Sequence, residues 1–466
     1  MILLTHSYFL RHDAKQSARM TPYAPLSTLI CASLLREAGH EVALYDPTFA
    51  HDLSSFEAAV REIRPTSVAI MEDNFNFLTK MCTLRRRKDA LEMVAIAKRF
   101  GCRVLTNGPD SSDVPSAYLD AGADAVLLGE GEAALAEIVT HWRHHPCEAL
   151  NDIPGLVLSV AGREHRTARR PNQRALDQLP LPAWDLIDAD AYRNAWTTRH
   201  GYLSWNMATS RGCPYSCNWC AKPIFGRGYE QRSPSSVAAE LRELKERIAP
   251  DHVWFADDIF GLTAEWIEEF AEEVTRLNAA TPFTMQSRVN LMRPDAVAAL
   301  ARARAKEVWL GVESGSQKIL DAMEKGSSVE EAIQATRNLR SQGIRVGWFI
   351  QLGYPGEEWA DLTLTRELLA AETPDDIGVS VAYPLPGTRF HALVKAQLGD
   401  RHNWNDSSDL AMLFEGTYDT AFYRLLRDFL HEEVRTGKRD EIGWARLGHE
   451  ELKYRSANPV LLATGS

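Results

Sequence analysis

Twice along this chain, at residues 1–140 and 203–390, short apolar runs alternate with helix-forming segments, and this alternation narrows the fold more than any other feature. In the first block the apolar runs are 2–5, 41–45, 68–71, 103–106 and 125–128, with helices expected at 26–38, 56–63 and 91–100. Strands separated by helices form parallel sheets covered on both faces, because each crossover has to return over the sheet. In such sheets ligands bind beyond the carboxyl ends of the strands. The loops there are 5–8, 72–75, 107–110 and 129–132. In the second block strands are expected at 203–209, 253–256, 284–287, 308–312, 346–352 and 377–382, with helices between them. These strand–helix steps predict a partial TIM-like (β/α)6 barrel, with chemistry at the carboxyl ends of its strands. Between the blocks, 156–159 and 163–169 read as a hairpin, and Leu179-Pro-Leu-Pro-Ala-Trp184 reads as a Pro-rich connector. The expected fold class is therefore α/β. A doubly wound, Rossmann-like sheet at 1–150 leads into a hairpin and linker at 151–195, a partial barrel at 196–395 and a small, mainly helical tail at 396–466.

Composition agrees with folded domains and excludes several classes. Hydrophobic residues are 45% and charged residues 25% of 466, which is ordinary for globular chains. No apolar run reaches the roughly 18 residues of a membrane span. The first residues, Met-Ile-Leu-Leu-Thr-His-Ser, lack a basic n-region and a small-residue cleavage site, as a secretory signal would require. The formal net charge of -11 argues against a broad nucleic-acid surface. There is no G-x-x-x-x-G-K-[ST] loop and no G-x-S-x-G elbow. The His141, His144 and His145 group stops at Pro146 and reads as a solvated helix end.

The seven cysteines, an odd number spread thinly, indicate a reduced, cytoplasmic protein. Cys31 and Cys102 read as small buried hydrophobes, and Cys82 and Cys147 carry no stronger signal. The remaining three form Cys213-Pro-Tyr-Ser-Cys217-Asn-Trp-Cys220, directly after the first barrel strand. Three thiolates on one tight loop suit three irons of a 4Fe-4S cluster, leaving the fourth iron open. A structural zinc site, which wants four ligands, and a chance surface triplet are the alternatives.

The triplet and its setting resemble the radical S-adenosylmethionine (SAM) superfamily. The resemblance extends through Phe255-Ala-Asp-Asp-Ile-Phe260, Gln286-Ser-Arg-Val-Asn290, Gly311-Val-Glu-Ser-Gly-Ser316, Phe349–Glu357 and Tyr383-Pro-Leu-Pro-Gly-Thr388. It is nearest the subgroup with an N-terminal cobalamin-binding domain, as in the anaerobic magnesium-protoporphyrin ester cyclase and the hopanoid methylases. Pro25–Asp46 and Gly129-Glu-Gly-Glu132 look like that domain's first helix and last loop. The resemblance implies that Cys213, Cys217 and Cys220 carry the irons and that SAM fills the open one, with reductive cleavage to a 5′-deoxyadenosyl radical. It implies that Trp219 lies beside adenine. Asp257 or Asp258 would meet the methionyl amine, Arg288 the methionyl carboxylate and Glu313 the ribose, with Ser287 also among the cofactor-binding residues. Gly353, Pro355 and Gly356 would shape a loop near the nucleoside. Asn107, Gly108, Gly129, Glu130 and Gly131 would face cobalamin. The D-x-H-x-x-G motif that supplies a cobalt-ligating His is absent, so cobalamin would have no protein His on cobalt.

These implications lead to a cobalamin-dependent radical SAM enzyme that methylates an unactivated carbon, or phosphorus, of a biosynthetic intermediate. The expected partners are a small-molecule or lipid-like substrate and an electron donor such as a flavodoxin or ferredoxin, with no nucleic acid. A radical cyclisation or rearrangement without methyl transfer is the alternative within the fold, and a non-catalytic cobalamin-binding module is the alternative outside it. The segment 71–88, aromatic and then basic, reads either as a lid over the first domain or as a helix start with a solvated basic face.

Overall fold

The computed structural model describes residues 1–460 apart from 76–80, 82, 146–147, 222–223, 227, 402, 408–410 and 458. Cys82, Cys147 and much of the aromatic stretch after Phe75 therefore lie outside the described residues. Two parallel sheets dominate the fold, as the alternation predicts. The first contains β1 (Ile2–Thr5), β2 (Val42–Leu44), β3 (Ser67–Met71), β4 (Arg103–Asn107) and β5 (Ala125–Leu127) in parallel. To these it adds β6 (Leu156–Val160) and β7 (Arg163–Arg166) antiparallel, in the order β2-β1-β3-β4-β5-β6-β7. β3, Ser-Val-Ala-Ile-Met, is buried at every position, as expected for a central strand covered on both faces. Cores of Leu, Ile, Val, Ala and Met lie on either side of this sheet.

The second sheet is all parallel and follows chain order: β8 (Ser204–Met207), β11 (His252–Phe255), β12 (Phe283–Ser287), β13 (Ala305–Glu313), β14 (Arg345–Leu352) and β15 (Asp376–Val381). Its helices start at well-formed caps. Thr263 caps Ala264–Arg276, and Ser328 with Glu331 makes a capping box on Val329–Ser341. A two-stranded ribbon of β9 (Ser210–Gly212) and β10 (Tyr229–Gln231) stands at the mouth of this sheet. The tail helix Thr420–Thr436 packs against β15. Its Phe422, Tyr423, Leu426 and Leu430 join the barrel core. Among the described residues no helix is long and apolar enough to cross a membrane.

Three boundaries differ from the sequence expectation. The hairpin β6–β7 is not a free linker but extends the first sheet at β5; periodicity identifies strands but not their partners. Helix Ala189–His200, capped by Asp188 and Gly201, runs across the expected break at 195. Its Tyr192 donates to Asp46, and its Trp196 indole donates to the Pro22 carbonyl, so it is packed structure rather than connector. Helix Arg389–Leu398 likewise crosses the expected break at 395.

Candidate active site

The loop carrying the cysteines is held at both ends. At its start, β8 ends at Met207, and the buried Asp257 carboxylate after β11 accepts from the Thr209 backbone N–H (3.0 Å), the Thr209 hydroxyl (2.8 Å) and the Ser210 hydroxyl. Burial, opposed by these hydrogen bonds, pushes Asp257 up to about 6. Asp257 thus braces the take-off of the loop, where the resemblance had placed a contact to the methionyl amine. The half-buried Asp258 follows it. The ribbon then pairs Gly212 with Tyr229, just beyond the cysteine loop. Gly212 has φ +78°, and a Cβ there would stand 2.2 Å from the Gly228 carbonyl oxygen. No side chain fits that position.

The far end of the loop rests on the turn 322–326. The Asn218 N–H donates to Met323 O at 3.0 Å and its side-chain amide to Ala322 O at 2.8 Å. Its side-chain oxygen accepts from the Tyr354 hydroxyl at 2.9 Å. Arg288, buried, stacks its guanidinium 3.9 Å from the centre of the Tyr215 ring and places Nη1 3.5 Å from Cys217 Sγ. Ser287 is buried beside it, with its hydroxyl 3.5 Å from Phe260 O. Glu313, at φ +67° after a bulge in β13, pairs with Lys325 at 2.7 Å with both side chains buried. The structure therefore gives Glu313 a lysine partner where the resemblance gave it a ribose. Gly353 has φ +78°, and Met412 and Tyr423 from the tail fill the space a Cβ would take. Gly353 N–H donates to Glu357, which burial pushes up to about 8. Pro355 and Gly356 complete this turn.

Buried polar atoms without partners gather at the barrel mouth. The indole N–H of Trp219, next to Cys220, has none among the described residues, and neither has either amide atom of Gln351 near the end of β14. Buried polar groups are normally satisfied, so these atoms are open to a polar ligand. Cys213, Cys217 and Cys220 are all half-buried and free of disulfides. Among the described residues no three His, Cys, Asp or Glu side chains converge as one ion requires.

The strand-end loops of the first sheet face this mouth. Asn107 ties the loop after β5 by donating to Leu127 O and Gly129 O, and it accepts from Asn74. Glycines at 108 and 131 leave room for the protein's own side chains, since Cβ atoms there would meet Glu72 and Asn107 at 2.7 Å. Gly129 is more open, its nearest neighbour being the Ile224 carbonyl oxygen at 3.9 Å. Asn74 Oδ1 and Thr106 Oγ1 are buried without partners among the described residues. In the basic run a helix starts at Leu84, and Arg85 and Lys88 are exposed, whereas Arg86 pairs with Glu72 and Arg87 with Asp110 at 2.7 Å. Sequence reasoning missed Arg211. Buried in β9, it reaches Glu130 at 3.0 Å and Glu132 at 2.9 Å. Its guanidinium also packs against the rings of Phe75 and Phe225, which touch each other. Its one sequence signal is its place two residues before Cys213.

Residues 207–369, the parallel barrel with the three-cysteine loop after its first strand, match the model of the radical SAM superfamily. The chain is also similar to proteins named for methyl transfer. A Pyrococcus horikoshii protein named an uncharacterized methyltransferase is 27% identical over 374 residues, covering 78% of this chain and 77% of its own. The hopanoid C-3 methylase of Methylococcus capsulatus is 26% identical over 435 residues, covering 90% and 78%. The radical SAM methyltransferase TsrM from Kitasatospora setae, solved with cobalamin and a 4Fe-4S cluster bound, shares the fold. Its TM-score is 0.70 at 20% identity, covering 86% of this chain and 79% of that one.

Proposed function

We propose that this chain is a cobalamin-dependent radical SAM methyltransferase acting on an unactivated carbon, or phosphorus, of a small or lipid-like biosynthetic intermediate. The observation that carries this reading is the opposition of two ligand-binding edges. The strand ends of the first sheet meet the cysteine loop across Arg211, Phe75 and Phe225. When bound, the cluster supplies the electron for reductive cleavage of SAM, and cobalamin supplies a methyl carrier.

The chain's own residues bind, orient and exclude water. Cys213, Cys217 and Cys220 hold the irons. Trp219 and Gln351 offer their unpartnered polar atoms to SAM. Asn74, Thr106 and the open backbone at Gly129 line the cobalamin side. The electron comes from a flavodoxin- or ferredoxin-like donor, and the enzyme works in the cytoplasm without nucleic acid. The test is anaerobic reconstitution with iron, sulfide and hydroxocobalamin, followed by counting both metals and assaying methylated products. Roughly four irons and about one cobalt per chain, with iron lost in Cys217→Ala, are expected. Iron at that level without cobalt would overturn methyl transfer in favour of radical rearrangement.

A further inference from the structure

We propose that Arg288 is a positioning residue for the cluster loop: its guanidinium donates to the Cys217 sulfur, fixes the loop on the turn 322–326, and so sets the cluster's reduction potential. The inference rests on the reading that the three cysteines hold an iron–sulfur cluster. Every nitrogen of the guanidinium is engaged. Nε donates to Asn290 Oδ1 at 3.2 Å and Nη1 to Cys217 Sγ at 3.5 Å. Nη2 donates to the Lys325 carbonyl and, at 3.2 Å, to the Gly326 carbonyl. The flat face is covered by Tyr215. Guanidinium carries five N–H groups, so the paired edge that a carboxylate would grip is already spent.

The turn receiving these bonds is itself fixed. Lys325 is drawn into the barrel by Glu313, and Asn218 joins the same turn to the loop two residues before Cys220. One cation therefore links the end of β12, the second cysteine and the turn beyond β13. A positive N–H donor on a thiolate sulfur favours the more negative, reduced cluster, because hydrogen bonds to sulfur and local charge set such potentials. Lysine would keep the charge but lose the planar fork.

The experiment compares the full chain with Arg288→Gln and Arg288→Lys after anaerobic reconstitution. It measures the midpoint potential by EPR-monitored titration, iron loss to a chelator, and SAM affinity. Arg288→Gln is expected to shift the potential negative and to lose iron about 10-fold faster, the size typical of altered ligand support. Arg288→Lys should hold the potential near the parent value while losing iron faster. If Arg288→Gln does not fold, the lysine variant decides alone, and unchanged iron retention there overturns the proposal. Unchanged potential and iron retention with weakened SAM binding would also overturn it and make Arg288 a SAM ligand. A parent chain holding fewer than about three irons would overturn the cluster reading itself, and this inference with it.

Discussion

At the scale of single residues, the barrel holds a half-buried His252 and a buried Asp257 whose charges respond oppositely to pH. His252 begins β11, at the end of the barrel away from the cysteine loop. Its ring nitrogens lie 2.8 Å from the Ser204 hydroxyl and 2.9 Å from the Thr284 hydroxyl. Burial lowers it from 6.5 to about 4. The unfolded chain therefore takes up a proton on acidification that the folded chain refuses, so His252 removes stability as pH falls from 6.5 towards 4. Asp257, raised from 3.8 to about 6, works the other way: its protonated form is favoured in the fold, so stability is lost as pH rises through that range. The two partly offset each other in the parent protein. Replacing His252 with Gln keeps hydrogen-bonding capacity between the two hydroxyls and removes the titration. The variant is expected to lose less of its urea midpoint between pH 6.5 and 4 than the parent does. Parallel pH profiles for the two proteins would refute this.

At the scale of elements, the ribbon β9–β10 decides whether the cysteine loop has a shape. Gly212→Ala places a Cβ against the Gly228 carbonyl in a left-handed backbone conformation, which costs about 2 kcal/mol or more. The parallel sheets do not depend on it. The expected variant keeps its helix and sheet signal by circular dichroism but loses most of its iron on gel filtration; full iron retention would show that the ribbon does not shape the loop. This ribbon was not legible in the sequence. Ser-Arg-Gly and Tyr-Glu-Gln are too short and polar to show a strand period, whereas the large parallel strands stand out as apolar runs between capped helices. The tail helix Glu441–Glu450 was hidden for a related reason, as Gly443 and Gly448 weaken its propensity. The three cysteines were legible because their spacing is local. The support of that loop was not: Arg288, Lys325, Asn218 and Tyr354 meet from distant segments and share no spacing.

At the scale of the whole molecule, the question is what keeps the two sheets in mutual register, and Arg211 supplies one buried part of the answer. Its side chain is 4% exposed, with Glu130 at 10% and Glu132 at 6%. Burial raises Glu132 above the usual carboxylate range, and the Arg211 charge opposes that rise. Other links join the two units as well: Tyr192 donates to Asp46, Asn206 donates to the Ala24 carbonyl, Arg36 pairs with Asp185, and Leu26, Leu29 and Ile30 pack into the barrel core. Removing one partner of a buried ion pair strands the other and costs about 3–5 kcal/mol. Arg211→Met leaves two carboxylates unpaired at the contact between the sheets, and the chain is expected to unfold in two separate thermal steps. Adding Glu132→Gln removes one stranded charge. The double variant should therefore be more stable than the single one, with a coupling of about 1–3 kcal/mol. Calorimetry on the parent and the variants checks both statements. If Arg211→Met unfolds in one step at the parent temperature, the two sheets are held together by the shared apolar core and the contacts of Tyr192 and Trp196, and the Arg211 ion pairs only accompany them.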